Sequence, residues 1–188
     1  MYFKNDIESC LIVLKKGGLI LYPTDTIWGI GCDATNQQAV NKIFALKKRV
    51  DDKTMIILLS RLTDISNYVV KPAPQILNYL TTTTHPTTAI YDKGINVASG
   101  LINKDGSIAI RIIRDEFGAA LINSFGKPIV STSANISGEP TPAIFNEISD
   151  EIKNGVDYIV QHRRGDFKVA KPSAIIKLND EKKIVVIR

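Results

Sequence analysis

The sequence predicts an α/β domain in which a twisted sheet of mixed parallel and antiparallel strands is flanked by helices. Helix-period segments and short apolar strand-like runs alternate through the first half of the chain, and the end is richer in strands. No repeat, low-complexity tract or linker divides the 188 residues, so a single domain over 1–188 is expected.

Each element has its own signal. Asp6 to Lys16 sets Ile7, Leu11, Ile12 and Leu14 at helical spacing, and Gly17-Gly18 supplies the stop. Leu19 to Tyr22 is a buried-strand run ended by Pro23. Asn36 is an N-cap for a helix burying Ala39, Val40, Ile43, Phe44 and Leu46. Met55 to Leu59 is a second buried strand, and Pro74 to Leu80 a short helix with proline in its first turn. Thr87 to Tyr91 and Ser107 to Ile113 read as strands, the latter alternating Ile108, Ile110 and Ile112. Glu116 to Phe125 is a helix closed by Gly126, Ile129-Val130 a strand, and Ala143 to Lys153 a helix. Val156 to Val160, Ser173 to Leu178 and Lys183 to Ile187 finish the chain as strands, the last two joined by a turn at Asn179-Asp180.

Composition narrows the class. A hydrophobic share of 44% with 23% charged residues is that of a globular protein in water. No run approaches the roughly 20 apolar residues of a membrane span. Met1 to Asp6 lacks the apolar core of a signal peptide. A cytoplasmic protein without a membrane partner is expected. Cys10 and Cys32 lie in apolar segments, and His85 and His162 are the only histidines. That set excludes a zinc cluster, predicts no metal held by protein side chains, and makes the thiols small core residues. The net charge of +5 suits nucleic acid or anionic small molecules without choosing between them. Basic residues gather at Lys47-Lys48-Arg49 with Lys53, and at His162-Arg163-Arg164 with Lys168 and Lys171. Either group is a solvated loop or an anion contact.

Four segments could carry chemistry. Ser131-Thr132-Ser133-Ala134-Asn135-Ile136-Ser137-Gly138 packs four hydroxyls and an amide into a strand-to-turn junction, a surface for an oxygen-rich ligand or a helix cap. Pro23 to Gly31 brings two threonines and bendable backbone to a strand end, where α/β proteins often place ligands. It matches neither a P-loop nor a GxGxxG turn, and Trp28 within it is either pocket wall or core. Lys47 and Arg49 stand two apart at a helix end, so they share a ligand only if the helix has stopped; otherwise they answer its dipole. Arg111, inside an alternating strand, needs an anionic partner or a watery cleft.

Taken together with Lys171-Pro172-Ser173-Ala174-Ile175, these segments occur in an order and spacing that resemble the YrdC-type family, from about Ile7 onward. The resemblance implies a single α/β domain with a deep, positively charged cavity. It implies threonylcarbamoyl-adenylate synthesis from L-threonine, bicarbonate and ATP, with Mg2+ carried on the ATP and pyrophosphate released. Downstream, a threonylcarbamoyl transferase would pass the group to adenosine in tRNA. On this likeness Lys47, Arg49, Ser133 and Asn135 surround the triphosphate and carbamate. Thr26, Arg111, Ser131 and Ser173 hold threonine, with Arg111 on its carboxylate. Arg49, Lys53, Ser107, Ser133, Thr141 and Arg188 contact ATP. Both reactants are anionic, so the chemistry asks for positive charge and placement more than for a nucleophile.

The chain departs from that pattern in places. Asp25 stands for the commoner glutamate and Trp28 for tyrosine. Val50 and Thr54 replace prolines, and Ala174 a threonine. With its last residue at Arg188, a chain lacking the further domain of longer relatives is expected. The alternative is an RNA-binding module of the same fold, taking double-stranded RNA or tRNA through its basic clusters without synthase activity.

Overall fold

Residues 2–49, 55–167 and 172–188 are described by the computed structural model. The elements run α1 (Lys4–Lys15), β1 (Ile20–Tyr22), β2 (Gly29–Gly31), α2 (Gln37–Leu46), β3 (Ile56–Leu59), α3 (Pro74–Thr82), β4 (Thr87–Tyr91), β5 (Ile108–Ile112), α4 (Glu116–Phe125), β6 (Ile129–Ser133), α5 (Asp150–Asn154), β7 (Tyr158–Ile159), β8 (Ala174–Leu178) and β9 (Ile184–Val186). Short 3₁₀ turns lie at Leu62–Asn67, Ser99–Leu101 and Phe145–Glu147. Local signals set several of these bounds. The Asn36 side chain accepts from the Ala39 N–H at the start of α2. Gly126, at φ 74°, closes α4 in the left-handed conformation that glycine adopts without strain.

The strands form one mixed sheet in the order β7-β1-β2-β6-β3-β5-β4-β8-β9. β1 with β7, β3 with β5 and β4 with β8 are parallel pairs, and the other neighbours are antiparallel. β6 joins the two halves, with Thr132 opposite Ile30 and Ser131 opposite Ile56. The core fills around Ile20, Leu21, Ile30, Ile57, Leu58, Ile110, Leu121 and Val130, all buried. Cys10 and Cys32 are free, buried thiols. Burial, and then the Asp6 charge, push Cys10 up to about 12, so it stays protonated.

Three expectations change. Gly29–Gly31, read as part of a bendable loop, is the buried strand β2. A Cβ at Gly31 would stand 2.6 Å from the Tyr22 ring and 2.8 Å from the Val130 carbonyl oxygen, so glycine lets the neighbouring strands close. β6 runs on through Ser131, Thr132 and Ser133, so the first three residues of the hydroxyl-rich segment are strand. The helix expected over Ala143–Lys153 is instead a 3₁₀ turn followed by the short α5. Ile148 is extended at ψ 128°, and the Ser149 side chain accepts from the Ile152 N–H to begin α5 anew.

One buried carboxylate ties the amino-terminal helix to the far end of the sheet. Asp6, in α1, accepts from the Tyr158 hydroxyl at 2.6 Å and from the Gln161 and His162 backbone N–H groups at 2.9 Å each. Its replacement leaves three donors without their acceptor in a part-buried site. We predict that Asp6→Ala loses about 3 kcal/mol of stability and roughly 10 °C of Tm in thermal denaturation. Lys4→Ala, which breaks an exposed pair with Glu8, leaves Tm where it is.

Candidate active site

Helix α2 ends at Leu46, and the backbone then turns through Lys48 at φ 49°. That turn separates Lys47 from Arg49 as no helix could. Lys47 is only 1% exposed. Its Nζ donates to the carbonyl oxygens of Ser133 and Asn135, both at 2.6 Å, while its own carbonyl accepts from the Ser137 N–H at 2.9 Å. Burial, and after it the Arg49 charge, push the ammonium down to about 8. It therefore remains charged at neutral pH, where two carbonyl acceptors suit it. The Asn135 Nδ2 donates to the Ile136 and Glu139 carbonyl oxygens. Lys48 turns outward to an exposed pair with Glu151 at 2.7 Å.

A cavity of about 450 Å³ opens beside this junction. Arg49, Arg111 and Arg188 line it, with the hydroxyls of Thr26, Ser131, Ser133, Thr141 and Ser173. No aspartate or glutamate lines it among the described residues. The β1–β2 turn is braced from within. Thr24 Oγ1 donates to the Ile27 carbonyl oxygen at 2.8 Å, so its single proton is committed. It accepts from the Thr26 N–H at 3.1 Å and, by elimination, from the Thr26 hydroxyl at 3.0 Å. Arg111 is 3% exposed; its Nη2 lies 3.2 Å from Asp25 Oδ1 and 3.5 Å from Thr24 Oγ1. Burial first, and the Asp25 charge further, raise the carboxyl of nearby Asp115.

The sequence-derived residues divide by position. Thr26, Arg49, Arg111, Ser131, Ser133, Thr141, Ser173 and Arg188 share the cavity wall. Lys47, Asn135 and Ser107 are not among its lining residues. Lys47 and Asn135 hold backbone instead, and the Ser107 hydroxyl accepts from Nδ2 of Asn103, which does line the cavity. Lys53, Lys168 and Lys171, with Val50 and Thr54, lie outside the described residues. Thr88 and Asn103 join the wall without a sequence signal having been drawn from them. Period two in β4 puts Thr88 beside the cavity with Ile90, and its hydroxyl meets that of Ser173 at 2.9 Å. Trp28 is both wall and core, 6% exposed and 4.8 Å from the Phe145 ring. A second cavity of about 300 Å³, by Val69, Ile76, Tyr91 and Lys93, contains none of the sequence-derived site residues and shares only Ile90 with the first.

The second basic cluster turns inward. Arg163 Nη1 donates to the Thr24 carbonyl oxygen at 3.0 Å and its Nε pairs with Asp166 at 2.8 Å. Arg164 donates to the Val160 and Ile159 carbonyl oxygens and lies 5.0 Å over Phe145. These cations brace the turn that carries Thr26 and the ring that backs Trp28. No helix among the described residues is long and apolar enough to cross a membrane.

Known proteins share the sequence pattern and the fold. A protein of Pseudoalteromonas translucida named threonylcarbamoyl-AMP synthase is 30% identical over 165 residues, covering 86% of this chain and 88% of its own. E. coli YciO superposes with a TM-score of 0.82 at 27% identity, over 98% of this chain and 88% of that one. P. abyssi Sua5, in a crystal structure complexed with L-threonine, superposes with a TM-score of 0.85 at 26% identity. That alignment covers 97% of this chain but only 53% of the archaeal one, so the chain spans about half of Sua5. The family model Sua5/YciO/YrdC, described as telomere recombination, matches residues 12–188. With β6, its serine-rich end and the arginine-lined cavity all inside that match, the chain belongs to the Sua5/YciO/YrdC family.

Proposed function

We propose that this chain is a threonylcarbamoyl-adenylate synthase, an enzyme of the nucleotidyl-transfer class. The observation that carries the reading is one cavity lined by three arginines and a ring of hydroxyls, with no lining acid among the described residues. Such a wall favours ligands rich in negative oxygen. Relatives bearing the synthase name, and a homologous fold that takes L-threonine, support the substrate class.

Threonine's neutral amine and bicarbonate condense to a carbamate with loss of water. A carbamate oxygen then attacks the α-phosphorus of ATP, the bond from that phosphorus to the bridging oxygen breaks, and pyrophosphate leaves. Arg111 meets the amino-acid carboxylate, with Thr26, Ser131 and Ser173 around the rest of threonine. Arg49, Arg188, Ser133 and Thr141 face the nucleotide, whose charge they answer as it shifts toward the leaving group. Lys53 completes the ATP contacts in this reading, and Ser107, off the cavity wall, acts by holding Asn103 there. Lys47 and Asn135 act by holding the main chain that presents Ser133. No group of three or more His, Cys, Asp or Glu side chains among the described residues could hold a metal. A Mg2+ carried by the triphosphate would neutralise phosphate charge in this reading. The product suits a transferase acting on tRNA.

Pyrophosphate release measured with ATP should require threonine and bicarbonate together. Arg49→Met should lower kcat/KM by about 10²-fold, the cost of one charged transition-state contact. An unchanged rate would remove Arg49 from the site. Wild-type protein that releases no pyrophosphate yet binds tRNA in a salt-sensitive way would favour the RNA-binding alternative.

Lys47→Met should leave the Asn135 carbonyl without its donor and the Ser133 carbonyl with only the Asn135 N–H, at about 2–4 kcal/mol of stability, and reduce kcat with them. The buried lysine gives up its proton near 8 and the unfolded one near 10.5. The unfolded chain thus binds the extra proton between those values, so wild-type stability relative to Lys47→Met rises across that window. The rise reaches at most about 3 kcal/mol, read by denaturant melts at pH 7.5 and above 10. A flat difference would mean that the native lysine titrates as it does in water.

A further inference from the structure

Two groups at the foot of the cavity have more hydrogen-bonding capacity than they use. Arg111 Nε is buried without a hydrogen-bond partner among the described residues, and so are both oxygens of Asp25. The two side chains form an ion pair at 3.2 Å, with 4% and 9% of their surfaces exposed, but it is not aligned as a hydrogen bond. Arg111 lines the cavity and Asp25 does not. The guanidinium is therefore held from the side away from the ligand space, with Nε left over.

The neighbouring groups leave Asp25 as the residue that answers this charge. Thr24 Oγ1 is neutral and reaches Arg111 only at 3.5 Å. Asp115 is the other carboxyl in the group, and its Oδ1 is occupied by the Gly118 N–H at 2.9 Å, where it caps α4. Burial and the Asp25 charge raise Asp115 toward its neutral form. Arg163 is spent on Asp166 and the Thr24 carbonyl.

We propose that Asp25 is a positioning residue for the amino-acid subsite: its charge keeps the Arg111 guanidinium buried at the cavity wall, where it meets the substrate carboxylate. This rests on the reading of the cavity given above. Two effects compete when the Asp25 charge is removed. An uncompensated Arg111 attracts anions more strongly in place, yet a buried unpaired guanidinium is far more costly than a change of rotamer. The larger cost prevails, so the side chain moves toward water in the cavity and the carboxylate subsite is lost.

Trp28, the only tryptophan, lines the cavity, so its fluorescence serves as the binding readout, with calorimetry beside it. Threonine and ATP are titrated separately into the full chain and into its Asp25→Asn and Asp25→Glu variants. Asp25→Asn keeps the shape and removes the charge; its Kd for threonine should rise about tenfold or more, with the Kd for ATP within about twofold. Asp25→Glu keeps the charge and should restore threonine binding. In turnover, Asp25→Asn should raise KM for threonine far more than it lowers kcat. Unchanged or tighter threonine binding by Asp25→Asn overturns the proposal, the latter by making Asp25 a competitor of the substrate. So does a parallel loss of threonine and ATP affinity, which marks a merely structural role. If Asp25→Asn does not fold, Asp25→Glu decides: threonine binding close to wild type supports the proposal, and a selective loss overturns it. Wild-type protein that binds no threonine overturns the cavity reading and this inference together.

Discussion

A lysine ammonium sunk between two main-chain carbonyls is the contact on which the site depends. Lys47 reaches across 86 and 88 residues of sequence to the carbonyls of Ser133 and Asn135. It thereby ties the end of α2 to the end of the central strand β6. Burying a charge is tolerated only where acceptors replace the lost water, and two carbonyls at 2.6 Å do that here. The consequences spread outward from this contact. Arg49 leaves the same helix end in another direction and arrives at the cavity, and Ser133 is held where β6 stops.

The same economy governs the other cations. Arg111 is answered by Asp25, Arg163 by Asp166 and the Thr24 carbonyl, and Arg164 by two carbonyls and an aromatic face. A net charge of +5 read from composition suggests a positive exterior. Most of the described cations do lie outside, but Lys47 and Arg111 are buried, and the half-buried Arg163 and Arg164 brace turns. What remains directed at the cavity is a set of arginines, whose planar forks suit carboxylate and phosphate.

Local signals made much of the fold legible. Asn36, Gly126, Pro74 and the isoleucine alternation of β5 each act within a few residues, so the elements they define appear where the sequence puts them. β2 was not legible, because three residues with two glycines carry no periodicity and gain strand form only from β1 and β6 on either side. The helix expected over Ala143–Lys153 failed for a related reason. Its apolar spacing is real, but Phe145 is drawn to Trp28, and Ser149 restarts the helix. For the site, Arg111 could be read as needing an anion or a cleft, and it has both. That Lys47 would meet carbonyls could not be read, since its acceptors belong to a strand end far along the chain.

The cavity wall draws on residues from Thr26 to Arg188, so its sides differ in how firmly they are rooted. Ser131 and Ser133 sit on β6 inside the sheet, whereas Arg188 follows β9, which among the described residues is an edge strand paired with β8 alone. Amide exchange in a β-sheet generally proceeds from such an edge before the centre opens. Transient fraying of β9 would remove one arginine from the wall while the β6 side stays assembled. Ligand held by Arg188, which also bonds the Ser173 carbonyl and the Ile175 N–H, would slow exchange along that edge.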